Sequence, residues 1–135
     1  MHALIIEGEF LTAALIEDEL RDLGYTSFDL VDEEEEAIRA AEHRCPDLIT
    51  ADQKLTNGTG VRAVLKICER RPIPVVFITQ RPTEIRTIVP EAIIVSKPFG
   101  GVMLREAVGA AIVKAQDGWP TNADILLSSS PPSMT

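Results

Sequence analysis

Short apolar runs rich in Ile and Val alternate along this chain with longer stretches of helical period. The runs are Ala3 to Ile6, Ser27 to Val31, Leu48 to Ala51, Ile73 to Ile78 and Ala92 to Val95. Each has the length of a strand, and their continuous apolar character fits a sheet covered on both faces. Between the runs, apolar residues recur three and four apart. Ala13, Ile16, Leu20 and Leu23 form one stripe, with Glu17, Asp18, Glu19, Arg21 and Asp22 on the other faces. Val61, Val64, Leu65 and Cys68 form a second stripe, and Leu104, Val108, Ala111 and Ala115 a third. Five strand-like runs alternating with four or five helices predict an α/β domain with a mainly parallel sheet.

Local signals refine this outline. Asp32 precedes Glu33 to Glu36 and is expected to cap a helix whose N-terminal dipole favours the acids that follow. The stretch between Thr79 and Ala92 is short and contains Pro82 and Pro90, leaving room for a stunted fourth helix. Gly118-Trp119-Pro120 breaks the last helical pattern. The expected organisation is therefore one domain over residues 1–117 and a Ser/Pro-rich, disordered tail over 118–135. Within the tail, Ile125-Leu126-Leu127 is either a docking segment or a stray apolar triplet.

Composition narrows the class. A chain of 135 residues is long enough to close a single core, and aromatics at 4% leave that core to Leu, Ile, Val and Ala. The net charge of −8 argues against direct binding to nucleic acid or an anionic membrane surface and for a protein partner. Cys45 and Cys68 lack metal-ligand spacing and read as reduced structural thiols. With no signal-peptide pattern and apolar runs far below the roughly 20 residues needed to span a bilayer, a cytoplasmic location is expected.

In parallel sheets of this kind, chemistry gathers at the carboxyl ends of the strands. The first run ends in Glu7, Gly8 and Glu9, the third in Asp52, Gln53 and Lys54, the fourth in Thr79, and the fifth in Ser96, Lys97 and Pro98. These residue types form a phosphoryl-handling constellation. One carboxylate can act as nucleophile, further acids can hold a divalent cation, and the hydroxyl and ammonium can contact phosphoryl oxygens. Each residue also has a plain structural reading: Asp52 as a loop cap, Thr79 as a strand-end hydrogen bonder, Lys97 as a solvated charge.

Pro46-Asp47-Leu48-Ile49-Thr50-Ala51-Asp52, followed by Leu55 and Gly58, resembles the third strand and loop of response-regulator receiver domains. Pro74 to Thr79 resembles that family's fourth strand with its switch hydroxyl, and Ser96-Lys97-Pro98-Phe99 resembles its Lys-Pro-Phe signature. The likeness spans about residues 3–116. It implies a flavodoxin-like, doubly wound five-stranded sheet in the order 2-1-3-4-5. It also implies a stand-alone response regulator of two-component signalling rather than an enzyme. Asp52 would accept a phosphoryl group from a histidine kinase or histidine phosphotransfer protein, Lys97 would contact that group, and Thr79 would move towards it. Mg²⁺ would be held by Glu7, Asp52, the Lys54 backbone carbonyl and Glu9, and a downstream protein would read the outcome.

Several residues depart from the family pattern. Gly8 stands where a second acid usually binds the metal directly, so weak Mg²⁺ affinity is expected. Lys54 places a cation two residues past the acceptor, facing either the site or solvent, and Ile94 replaces a common Tyr or Phe. Phe77-Ile78-Thr79 is similar to a strand signature of some alphaproteobacterial receivers, but Gln80-Arg81 lacks the Gly usual there. The alternative to phosphorylation is a pseudo-receiver adaptor. A phosphatase of the haloacid-dehalogenase type would need an Asp where Lys54 stands.

Overall fold

In the computed structural model, which describes residues 1–120, the alternating pattern becomes a five-stranded parallel sheet flanked by five helices. The elements are β1 (His2–Ile6), α1 (Phe10–Asp22), β2 (Ser27–Val31), α2 (Glu34–His43) and β3 (Leu48–Ala51). They continue as α3 (Gly60–Ile67), β4 (Val75–Thr79), α4 (Pro82–Ile88), β5 (Ile94–Ser96) and α5 (Gly101–Gln116). The strand order is β2-β1-β3-β4-β5, the expected doubly wound arrangement. The second, fourth and fifth runs align β2, β4 and β5 with their neighbours in parallel register throughout.

The period of two along each strand divides the core. Leu4, Ile6, Ile49, Ala51, Val75 and Phe77 face one side and meet Ala37 of α2 with Val61 and Val64 of α3. Ala3, Ile5, Leu48, Val76, Ile78 and Val95 face the other, against Ala13, Ile16 and Leu20 of α1 and Leu104, Val108 and Ala111 of α5. The α1, α3 and α5 residues belong to the stripes predicted from periodicity, with Leu65 packed at the margin of the first layer, whereas no stripe is predicted for Ala37.

Some expectations need correction. Pro74 has no N–H to give to a ladder, so β4 starts after it rather than at Ile73; its carbonyl still accepts from Ile49 N at 2.9 Å. β5 starts at Ile94, two residues after Ala92, which instead donates to Val89 O at 3.1 Å in a turn. Asp32 is not the cap of α2. Glu33 occupies that position without a side-chain cap bond, and Asp32 Oδ2 accepts from Thr56 Oγ1 at 3.1 Å. Cys68 is buried, but Cys45 is exposed beside Arg71 and has no part in the core.

Two further features bear on the ends of the domain and its fourth helix. Trp119, beyond the expected boundary after Asp117, is buried within the same cluster as Val64 and Ile73. Ile125-Leu126-Leu127 and the rest of the tail lie outside the described residues. The fourth helix is short, as expected, at 7 residues with Pro82 in its first turn.

Candidate functional site

The strand order reverses between β1 and β3, and a crevice opens at their carboxyl ends. Both strands deliver an acid there. Glu7 continues the line of β1, its N–H donating to Val31 O at 2.9 Å, and Asp52 continues β3, donating to Ile6 O at 2.9 Å. Both residues are buried. The end of β5 supplies a cation: Lys97 N–H donates to Thr79 O at 2.9 Å, which anchors its backbone beside β4.

The Lys97 ammonium draws three carboxylates together. It donates to Asp52 Oδ2 at 2.7 Å, to Glu7 Oε2 at 3.1 Å and to Glu9 Oε1 at 3.1 Å. Glu7 Oε1 lies 2.9 Å from the same nitrogen, yet it accepts no hydrogen bond. Glu7 Oε2 also accepts from Glu9 N–H at 3.0 Å, folding the Glu7-Gly8-Glu9 turn back over the site. Glu9 thus reaches inward although its side chain stays 65% exposed. The second oxygen of Asp52, Oδ1, accepts from the Gln53 N–H at 2.7 Å.

Electrostatics follow from this crowding. Burial raises the Glu7 pKa above its ordinary value, an effect the Lys97 and Glu9 hydrogen bonds only partly offset. For Lys97 the largest single influence is burial, which lowers its pKa. The hydrogen bonds from Asp52, Glu7 and Glu9 together outweigh it and hold the ammonium above its usual range.

The other candidate residues line the same cleft, which has a volume of about 350 Å³. Thr79 is buried at the end of β4 and its Oγ1 accepts from Arg81 N–H at 2.9 Å. The Lys54 side chain is exposed, and no carboxylate lies within ion-pair distance of its ammonium among the described residues. Its carbonyl faces Gly8: a Cβ built there would meet Lys54 O at 3.7 Å. Ile94 packs against the sheet core and takes no part in the cleft.

Neighbouring glycines explain how the chain fits around Asp52. A Cβ on Gly60 would overlap the Asp52 carbonyl oxygen, so the start of α3 approaches this closely only as glycine. Gly58 has φ +79° and packs on the Glu34 side chain, whose Oε1 accepts from Thr59 N–H at 3.0 Å. These contacts fix the loop after Asp52 to the start of α2. Sequence reasoning passed over Gln53, whose buried side chain contacts α3 and α4. The signal was a polar residue next to the acid, in a stretch that had to be buried.

Glu7, Glu9 and Asp52 offer oxygens that all lie within 4.8 Å of one another. With Glu7 Oε1, which accepts no hydrogen bond, and the Lys54 carbonyl close by, this is a hard, all-oxygen donor set that suits Mg²⁺. Gly8 contributes no ligand to it.

The chain belongs to the response regulator receiver domain family, whose sequence model matches residues 3–109. Among solved structures, the receiver domain of the PhyR response regulator from Erythrobacter litoralis superposes with a TM-score of 0.75. It is 31% identical, over 83% of this chain and 89% of that one. A PhyR stress response regulator is 36% identical at a TM-score of 0.74, covering 84% of this chain and 45% of that one. The receiver domain of sensor histidine kinase PA1611 from Pseudomonas aeruginosa PAO1 is 27% identical, with a TM-score of 0.70 over 83% of this chain and 97% of that one. Its structure holds a magnesium ion in the active site cleft. The transcriptional regulatory protein PdtaR of Mycobacterium tuberculosis is 33% identical over 76 residues, which is 56% of this chain but 37% of that protein. Among the described residues no helix is long and apolar enough to cross a membrane.

Proposed function

We propose that this receiver accepts a phosphoryl group on Asp52 from a histidine kinase or histidine phosphotransfer protein, and signals by protein contact in the cytoplasm rather than as an enzyme. The observation that carries this reading is the hydrogen bond of 2.7 Å from Lys97 Nζ to Asp52 Oδ2 at the topological switch point. In the transfer, an Asp52 oxygen forms a bond to phosphorus while the P–N bond to the donor imidazole breaks. The imidazole nitrogen keeps the electron pair and takes up a proton. Lys97 follows the charge as it moves from the carboxylate to the phosphoryl oxygens, and the Thr79 hydroxyl can turn from the Arg81 amide towards them. Glu7, Asp52, the Lys54 carbonyl and Glu9 would hold Mg²⁺, weakly because Gly8 adds no oxygen. When bound, the ion neutralises charge on the phosphoryl group.

A second reading, a pseudo-receiver adaptor acting without regulated phosphorylation, rests on that same Gly8. Incubation with acetyl phosphate and Mg²⁺, read by intact mass, separates the two. Phosphoryl transfer predicts the added mass of one phosphoryl group in the parent protein and none in Asp52→Asn. An unchanged mass at high Mg²⁺, with a responsive receiver run in parallel, would sink the phosphorylation reading and leave the adaptor.

A further inference from the structure

Gln53 follows the proposed acceptor directly and is buried. All of its polar groups are engaged, and they reach Asp52 and two helices, α3 and α4. Its N–H donates to Asp52 Oδ1 at 2.7 Å and its main-chain oxygen accepts from Gly60 N–H at 3.1 Å. Its side-chain Oε1 accepts from Val61 N–H at 3.0 Å, which satisfies a free donor in the first turn of α3. The remaining group, Nε2, donates to Glu84 Oε1 on α4 at 3.4 Å.

A residue that merely capped α3 would need Oε1 alone. The amide nitrogen, aimed at another helix, has no part in that cap. Glu84 in turn lies 3.8 Å from the Arg81 guanidinium, and Arg81 N–H donates to Thr79 Oγ1. The contacts therefore form a chain from Asp52 through Gln53, Glu84 and Arg81 to Thr79.

We propose that Gln53 is a positioning residue that couples the chemical state of Asp52 to α4 through its hydrogen bond to Glu84. This rests on the reading of Asp52 as the phosphoacceptor. Phosphorylation makes Asp52 Oδ1 a weaker acceptor and moves negative charge to the phosphoryl oxygens. The Gln53 N–H follows that charge. Because Oε1 is held by the Val61 amide, movement of the Gln53 backbone pivots its side chain and displaces Nε2 from Glu84. The start of α4 then loses one of its two ties to the site.

The test uses amide NMR of the full chain in a cycle that does not require phosphorylation. Asp52→Asn is compared with its parent in three backgrounds: unmodified, Glu84→Ala, and Gln53→Glu. Glu84→Ala alters an exposed side chain and leaves the α3 cap alone; Gln53→Glu keeps an oxygen for Val61 N–H and removes the donor to Glu84. Asp52→Asn should shift the α4 amides in the unmodified background, and that response should fall by about half or more in both other backgrounds. Full-sized α4 shifts in Glu84→Ala, or none in the unmodified background, would overturn the coupling. Beryllofluoride with Mg²⁺, added to the same samples, probes the acceptor reading separately. If it perturbs no form, phosphoacceptance fails, while the Asp52→Asn comparison still decides the role of Gln53.

Discussion

Restoring a carboxylate beside Glu7, in Gly8→Asp, is the most direct perturbation of the acidic cleft. The position accepts it sterically, since a Cβ there meets nothing closer than Lys54 O at 3.7 Å. Its cost is electrostatic. Three carboxylates already share one ammonium, so the new charge enters a site with a net negative charge. Two like charges about 5 Å apart repel by roughly 3 kcal/mol at an effective dielectric of about 20, and by about half that at the hydrated rim of the cleft. Attraction to Lys97 cancels part of this. The metal-free variant should therefore be about 1–3 kcal/mol less stable than the parent. Mg²⁺ reverses the sign, because the new oxygen is a ligand. A 10- to 100-fold gain in affinity corresponds to about 1.4–2.8 kcal/mol. Binding adds about 2.7 kcal/mol of stability when free Mg²⁺ is about 100 times Kd. Thermal unfolding across a Mg²⁺ titration reads both effects. The variant should start below the parent, respond at lower Mg²⁺ and approach or pass it at saturation. Equal midpoints for the two proteins would refute the account in which Gly8 limits metal binding.

Lys97→Met leaves the clustered acids without their cation and should cost about 2–4 kcal/mol at pH 7 in urea unfolding, together with loss of the acetyl phosphate adduct. The deficit should shrink on acidification. Glu7 already has a raised pKa in the fold, so stability attached to it is present below its unfolded value and lost as pH rises through the folded one. Removing Lys97 pushes that pKa higher still, and a deficit that is equal at pH 5 and 7 would contradict this. Gly60→Ala should lower stability by about 2–3 kcal/mol and impair the adduct, because the added methyl meets the Asp52 carbonyl; a near-neutral unfolding curve would show that the loop yields. Thr59→Ala removes the side-chain acceptor of Arg62 N–H at the start of α3 and should cost about 1 kcal/mol with adduct formation intact.

The parts of the fold that could be read from the chain are those set by short-range periodicity. The central strands β1, β3 and β4 are buried along their whole length, so few polar positions confuse the pattern, and the helix stripes at Ala13, Ile16 and Leu20 or Leu104, Val108 and Ala111 are the buried ones. Boundaries slipped where a single backbone group decides, as with the missing N–H of Pro74. Asp32 illustrates a competition invisible in sequence: its carboxylate had a neighbouring helix start within reach but bonds Thr56, 24 residues away. Among candidate site residues, the strand-end rule pointed to Glu7, Asp52, Thr79 and Lys97 because each ends its strand or follows it directly. The inward reach of Glu9 depends on a turn closed by its own N–H onto Glu7, and the Gln53–Glu84 contact joins residues 31 apart. No local pattern encodes either.

Gly8, Glu9 and Lys97 make sense as one arrangement rather than three departures. A buried Glu7 beside Asp52 is unfavourable without a cation, and in this cleft Lys97 supplies one at 2.7–3.1 Å from three acids. Its raised pKa keeps it charged at any physiological pH, so it cannot yield its place by losing a proton. A divalent ion entering here must share the carboxylates with Lys97 or displace it from some of them. A fourth acid at position 8 would make that exchange easier, but it would also burden the metal-free protein with repulsion that one ammonium cannot offset. Glycine keeps the metal-free cleft closer to balance. On the proposed reading, Glu9 would be the acid best able to exchange Lys97 for an ion, because its exposed carboxylate moves at little desolvation cost. By the same reading, the glycine that would limit Mg²⁺ affinity also leaves Lys97 as the cation hydrogen-bonded to Asp52 in the metal-free cleft.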